Sequence, residues 1–226
     1  LLWHSHFASN YRIVRNSVLM LNQNLMFRKQ ANNSFAQLAM NIVRDPAMIK
    51  FLNNDSNRKD HPNENLAREL MELFTLGEGN YTEHDIKEGA RALTGYSVRN
   101  TKFSFERRQH DSGQKMIFGN RGQFDGDDFV RIILARKQCA TFIAYKLYKY
   151  FVNDLSNGLD KSTKLVIGRL GYQLYKKQYQ LTPVLKMLFA SEHFYDPANM
   201  GNMIKSSAQL VAGVVRVLQT PVRDAD

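Results

Sequence analysis

The stretch Asn63–Gly77, NENLARELMELFTLG, places two carboxylates where they could act together. At about 100° per residue, one side of a helix here carries Asn65, Arg68, Glu69 and Glu72. Glu69 and Glu72, three residues apart, could hold a metal ion or divide the roles of acid and base. Arg68 and Asn65 could then bind a substrate anion. An amphipathic helix with a solvated polar side has the same spacing, so both interpretations stay open.

The other side of this helix is predicted to face the core. It carries Leu66, Leu70, Leu73 and Phe74. Glu64 and Arg68 are four residues apart, in the favourable order for an ion pair within a helix.

A second group of chemical interest is His110-Asp111, followed by Gly113 and Lys115. An imidazole titrates near neutral pH, so His110 oriented by Asp111, with Lys115 nearby, could transfer protons or bind an anion. Adjacent side chains seldom point at each other, and the alternative is an Asp turn with an exposed His110.

The third group is His4 and His6, two residues apart. On a strand they would share a face and could bind a divalent metal, but a helix places them on nearly opposite sides. A divalent metal therefore stays an open prediction for a cofactor. The single cysteine, Cys139, excludes an internal disulfide and is predicted to be a small buried side chain. The sequence has no G-x-S-x-G elbow, phosphate loop, G-x-G-x-x-G or H-E-x-x-H.

The composition predicts a globular, basic protein. Of the 226 residues 43% are hydrophobic, and 31 Lys and Arg against 21 Asp and Glu give a net charge of +10. This charge favours an acidic partner, such as nucleic acid or an anionic glycan, although the basic residues are scattered. No apolar run is long enough for a membrane span. The chain starts within an apolar element, so we expect a longer parent protein.

The elements that must position these groups are mostly helices. N-cap signals stand at Ser34, at Asp45-Pro46, at Thr82 with Asp85, and at Thr182-Pro183. Apolar residues at helical spacing follow each signal. The sequence therefore predicts an all-α fold, a multi-helix orthogonal bundle.

One region breaks the helical pattern. Residues 97–126 contain several glycines and two short alternating runs, around Phe103–Phe105 and Lys115–Phe118. They predict a loop excursion of about 30 residues with a small β-hairpin, longer than an ordinary connection. No linker signal divides the chain, so we expect one helical domain over residues 1–226.

Several blocks together resemble a bacterial family known as DUF1800, a domain of unknown function. They are WHSHF, DPAMIKFLNN, NENLARELMELFTLG, YTEHDIKEGARALTGY, HDSGQKMIFG, FIAYKLYKYFV and IKSSAQLVAGVVRVL. The resemblance spans about Trp3 to Leu218. It implies export or an envelope location, and a functional link to a sulfatase- or phosphatase-like protein encoded nearby.

The resemblance also brings Arg91 into the site. The polar residues of the family pattern include His4, His6, Asn65, Arg68, Glu69, Glu72, Arg91, His110, Asp111 and Lys115. Phe74 stands where the pattern often has His, which weakens any scheme with an imidazole on that helix.

Three hypotheses follow. In the first, the polar residues line a pocket of a hydrolase acting on a glycan or a phosphate or sulfate ester. Glu69, Glu72, His110 and Asp111 are then catalytic, and Asn65, Arg68, Arg91 and Lys115 bind the ligand. In the second, the chain is a non-catalytic binding or scaffold module whose polar residues form a buried hydrogen-bond lattice. In the third, the protein binds nucleic acid through its charge.

Overall fold

Helices dominate the computed structural model, which describes residues 1–155 and 158–219. The all-α prediction is confirmed, with two small hairpins added. In the described residues the α-helices are α1 (Leu2–His6), α2 (Tyr11–Val14), α3 (Ser17–Gln30), α4 (Phe35–Ile42), α5 (Pro46–Phe51), α6 (Asn65–Glu69), α7 (Glu83–Ala92), α8 (Gly126–Leu134), α9 (Lys137–Phe151), α10 (Lys161–Lys176), α11 (Leu181–Phe189) and α12 (Ser207–Val217).

Most of the predicted helix starts are observed. Ser34 caps α4, Asp45 caps α5 ahead of Pro46, and Thr82 and Asp85 form a complete capping box on α7. The prediction for Thr182 is wrong, because the N-cap is Gln180, two residues earlier, and α11 begins at Leu181. The Thr182 hydroxyl instead donates to the Asn32 carbonyl oxygen at 2.7 Å, a long-range contact that local propensity does not contain.

The core is a cluster of buried side chains that runs from Trp3 to Leu188. The helices α9 and α10 pack closely in it, and Gly171 explains how. A Cβ at Gly171 would lie 2.9 Å from the Cα of Thr141, so only a glycine lets the two backbones approach this closely. Cys139, on the buried side of α9, is fully buried as predicted.

The predicted excursion over residues 97–126 is observed as two hairpins, one more than expected. In the first hairpin the register pairs Tyr96 with Phe105, and in the second it pairs Lys115 with Gly122. Each of the two alternating runs therefore forms a strand of its own hairpin. The strands are β1 (Tyr96–Arg99), β2 (Lys102–Phe105), β3 (Lys115–Ile117) and β4 (Asn120–Gly122).

The prediction that Leu73 faces the core is wrong, because Leu73 is 50% exposed. The cause is a π-helical segment, Leu70–Thr75, that continues directly from α6. Its hydrogen bonds reach back five residues, as from the Leu76 amide to the Met71 carbonyl oxygen at 2.8 Å. The wider turn changes the angular position of each side chain, so regular helical spacing no longer predicts which side Leu73 occupies.

Among the described side chains of α12, the last helix, none is buried. Several of its apolar side chains are exposed, namely Leu210, Val211, Val214 and Val217. In the described part of the chain, no helix combines the length and the apolar character that crossing a membrane requires.

Candidate functional site

The polar side of α6 is organised around Arg68. Its guanidinium donates to both carboxylate oxygens of Glu83 at 2.9 Å and to Glu64 at 3.0 Å, so the predicted pair with Glu64 is observed. The bond to Glu83 is the main cause that raises the pKa of Arg68. With two carboxylates on one guanidinium, the positive charge of Arg68 is already balanced, which weakens its attraction for a substrate anion.

Glu69 and Glu72 lie beside this group in different surroundings. Glu72 accepts a hydrogen bond from the Tyr81 hydroxyl, whereas Glu69 has no hydrogen-bond partner among the described residues. Partial burial, and then the charge of Glu72, raise the pKa of Glu69 against the opposing charge of Arg68. Asn65 is exposed next to them. Glu69 therefore keeps its proton to a higher pH than an ordinary glutamate does, beside a Glu72 that is hydrogen-bonded.

A second cluster forms where α7 meets the loop between the hairpins, and we call it the polar lattice: Glu88, Arg91, Thr94, His110, Asp111 and Lys115. Arg91 Nε donates to Asp111 at 2.7 Å, and Arg91 Nη1 donates to Glu88 at 2.9 Å. Burial alone would raise the pKa of Asp111, but Arg91, the Gly113 amide and Lys115 together lower it. The guanidinium thus joins a helix to a loop 20 residues away in sequence.

Lys115 lies inside the lattice and is only 1% exposed. Its ammonium group donates to the carbonyl oxygens of Asp111 and Gly113, which closes the turn between them. Burial lowers the pKa of Lys115, and the charge of Asp111 opposes that change. In this position Lys115 holds the turn and does not face solvent, where a substrate anion would arrive.

His110 is oriented by Thr94 and not by Asp111. Its Nδ1 lies 2.9 Å from the Thr94 carbonyl oxygen, which can only accept, so Nδ1 carries the proton of a neutral ring. The Asp111 carboxylate instead accepts from the Gly113 amide at 2.8 Å, so the Asp turn of the alternative interpretation is what forms. Because the two side chains point in different directions, the expected orientation of His110 by Asp111 is corrected.

Two acidic residues of α7 were missed as site residues. Glu88 accepts from the Met116 amide at 2.8 Å, and Asp85 accepts from the Phe118 amide at 2.7 Å. Both are buried and fasten the β3 end of the excursion to α7. Their signal was present in the sequence, since Asp85, Glu88 and Arg91 follow one another at three-residue spacing and share a helix side.

Two buried asparagines were also missed. The Asn54 amide donates to the Leu93 and Tyr96 carbonyl oxygens at 3.3 and 3.0 Å, and the Asn57 amide donates to the Ala90 carbonyl oxygen at 2.9 Å. They add side-chain donors to carbonyl groups at the C-terminal end of α7 and at the start of β1, beside backbone bonds such as the one from the Leu93 amide to the Ala90 carbonyl oxygen at 3.2 Å. Among the described residues, Arg136 Nε is the one buried side-chain nitrogen or oxygen without a partner, and it lies outside the lattice.

The two histidines of α1 are placed apart. His6 Nε2 donates to the Phe74 carbonyl oxygen at 2.9 Å, and burial lowers the pKa of His6 to about 4. His4 is exposed, with its ring 6.4 Å from that of Phe27. Within residues 1–155 and 158–219, no group of three or more His, Cys, Asp or Glu side chains is arranged to hold a metal ion.

The predicted site residues therefore fall into three groups. His6 reaches the π-helical segment through Phe74, but in the described residues no hydrogen bond or ion pair joins Glu69 or Glu72 to His110 or Asp111. Each group must be assessed by itself for any chemistry.

These features define a class of protein, a helical fold with a hairpin excursion fastened to one helix by a polar lattice. One family model, described as a protein of unknown function (DUF1800), matches residues 1–225. The chain belongs to the DUF1800 family. Neither the curated proteins nor the solved structures give a match. The expectation of a longer parent protein stays a prediction.

Proposed function

We propose that the chain is a non-catalytic binding or scaffold module in which the polar residues of the family pattern are a structural lattice. One observation carries the proposal: Glu88, Arg91, Asp111 and Lys115 find their partners in one another and in nearby backbone groups. Buried polar groups need fixed partners, because leaving one unpaired costs about 1–3 kcal/mol. Their residue types are therefore accounted for without any substrate.

The lattice would give the excursion a fixed shape, and the outer face of the excursion supplies the binding surface. Lys102, Arg107, Arg108 and Arg121 are exposed there and have no ion-pair partner among the described residues. Together with the net charge of +10, they favour an acidic partner. The proposal treats the chain as one helical domain, which the core cluster from Trp3 to Leu188 supports.

Replacing Asp111 with Asn tests the lattice. The change removes one charge from the bond to Arg91, and we expect the free energy of unfolding to fall by about 2 kcal/mol, as for a hydrogen bond to a charged group. Amide hydrogen exchange over residues 110–118 should accelerate in the same variant. Glu78→Gln is the control, because Glu78 is exposed and its carboxylate has no partner in the described residues. Equal stability of the two variants would contradict the proposal.

A second candidate function is hydrolysis of a glycan or of a phosphate or sulfate ester, favoured by the raised pKa of Glu69 beside Glu72. In it Glu72 removes a proton from the attacking water, the new bond to the water oxygen forms as the ester or glycosidic bond breaks, and Glu69 gives its proton to the leaving-group oxygen. p-Nitrophenyl phosphate, sulfate and glycosides are the probes. Wild type and Glu78→Gln should both hydrolyse at least one of them, and Glu69→Gln should be slower by about 100-fold. A wild type without turnover on all of them removes this candidate. The exported or envelope location stays a prediction from the resemblance.

A further inference from the structure

A cavity of about 560 Å³ lies between α1, the C-terminal half of α9 and the segment that leads into α12. This volume is in the range of small-molecule sites, about 300–1,000 Å³. Apolar side chains form much of its wall, among them Leu2, Tyr150 and Ile204. None of the catalytic or ligand-binding residues expected from the sequence lines it, although His4 and His6 do.

The charged side chains that line this cavity are mostly cationic. Lys146, Lys149 and Lys205 line it together with one carboxylate, Asp154. Lys146 and Lys149 are three residues apart on α9, a spacing at which like charges repel. Among the described residues, no carboxylate is one of the groups that shift the pKa of Lys146. An anion between them would relieve the repulsion.

The surroundings of Lys146 also favour a bound anion. Its side chain is half-buried and its ammonium group lies 5.0 Å from the centre of the Phe142 ring. Burial, and then the charge of Lys149, lower the pKa of Lys146. Half-burial of a cation is unfavourable, and a bound anion would supply a counter-charge.

His6 forms a fixed polar part of the wall. Its Nε2 is used by the Phe74 carbonyl oxygen, so the neutral ring offers only the lone pair of Nδ1 to the surroundings. It therefore does not compete with the lysines for an anion.

A second cavity, of about 480 Å³, adjoins the first and shares Leu1, Leu2, His4 and Tyr150 with it. Its wall continues with Phe27, Phe151 and Leu185 and is mostly apolar. The cationic cavity and its apolar neighbour thus lie side by side along α1.

We propose that the two cavities together bind an organic anion that has one anionic head group and an apolar chain. The head group lies between Lys146 and Lys149, and the chain lies along the apolar wall of the second cavity. The inference rests on the proposed binding function, to which it adds a ligand site that shares no residue with the polar lattice.

Trp3 provides the measurement, because it is the single tryptophan and lines the second cavity. Its ring centre is 5.8 Å from that of His6. Octyl phosphate is the probe, and binding is followed by Trp3 fluorescence and by calorimetry. Octyl glucoside, with the same chain and no charge, and inorganic phosphate, with no chain, are the matched ligands.

We expect saturable binding of octyl phosphate and a Kd about tenfold higher in Lys146→Gln, the effect of losing one hydrogen bond to a charged group. Lys87→Gln is the control, because Lys87 is exposed on α7, away from both cavities. An unchanged thermal unfolding curve of Lys146→Gln would show that the loss is local. Octyl glucoside and inorganic phosphate should each bind at least tenfold more weakly than octyl phosphate.

Several results would overturn the inference. They are an absence of saturable octyl phosphate binding, equal affinities of Lys146→Gln and Lys87→Gln, equal binding of octyl glucoside, and equal binding of inorganic phosphate. Asp111→Asn should bind octyl phosphate as the wild type does, because the lattice and the cavities share no residue. The lattice proposal is tested by the unfolding of Asp111→Asn. The ligand-site proposal is tested separately, by the titration of octyl phosphate.

Discussion

The buried carboxylate of Asp45 gives the sharpest test of how burial changes the pKa of a side chain in this fold. Its carboxylate caps α5 by accepting from the Met48 amide at 2.9 Å, and it also accepts from the Gln23 side chain at 2.6 Å. Gln23 is itself buried and accepts from the Ser9 hydroxyl at 2.6 Å. Burial raises the pKa of Asp45 from 3.8 to about 6, although these hydrogen bonds act in the opposite direction.

The contribution of Asp45 to the free energy of unfolding follows from the linkage between proton binding and folding. A pKa that is higher in the folded state means that the folded protein binds the proton more tightly than the unfolded chain does. The stabilisation is therefore complete below pH 3.8 and is lost as the pH rises through about 6. The rise of roughly two pH units, at about 1.36 kcal/mol per unit, corresponds to about 3 kcal/mol.

Asp45→Asn isolates this contribution, because asparagine also accepts at an N-cap and carries no charge. The measurement is urea unfolding of both proteins from about pH 4 to about pH 8. As the pH rises over this range, we expect the free energy of unfolding of the variant to increase by about 3 kcal/mol relative to that of the wild type. Most of this change should fall between about pH 4 and about pH 6. Asp45→Ala is the control, since it loses the cap as well and should be less stable than Asp45→Asn by about 1 kcal/mol at every pH. A difference between wild type and Asp45→Asn that is independent of pH would refute the reasoning.

Three further predictions concern the packing of individual residues. Gly171→Ala should lower the free energy of unfolding by about 1–3 kcal/mol, because the new Cβ would meet Thr141. Gly168→Ala has open space around it and should raise the free energy of unfolding by up to about 1 kcal/mol. Reversed signs in chemical denaturation would contradict the close approach of α9 and α10. The pKa of His6 is lowered to about 4 by burial, so its ring should stay neutral down to about pH 5 in an NMR titration, and its contribution to stability should be lost as the pH falls from 6.5 towards 4. Burial raises the pKa of Cys139 to about 12, so a thiol reagent should react with it only on unfolding, and fast labelling of the native protein would show that the site opens.

The sequence best predicted those features that depend on residues close together in the chain. The caps at Asp45 and Thr82 depend on groups within three residues of the cap, so the pattern contains all that is needed. The hairpin excursion was predicted for the same reason, since turn residues and short alternating runs are local. Thr182 was misplaced because its hydroxyl binds Asn32, which is distant in sequence.

The choice of partners could not be predicted. Arg91 could have paired with several acids, and only the fold brings Asp111 to its Nε. The π-helical segment could not be predicted either, because the spacing of apolar residues does not show that hydrogen bonds reach back five residues. Only the exposure of Leu73 in the structure reveals the difference from a regular helix. Residue types thus indicated that polar side chains were needed, while their grouping depended on tertiary contacts.

This grouping decides how the family pattern should be interpreted. A catalytic cluster leaves some polar atoms without protein partners, because the substrate has to meet them. Arg91 instead donates through Nε to Asp111 and through Nη1 to Glu88, and Lys115 donates to two backbone oxygens. Glu69 differs, since it is half-buried, has a raised pKa and lacks a hydrogen-bond partner in the described residues. Chemistry, if the chain performs any, should therefore depend on Glu69 and tolerate Asp111→Asn. Stability should depend on Asp111 and tolerate Glu69→Gln, so measuring both properties in both variants separates the two roles.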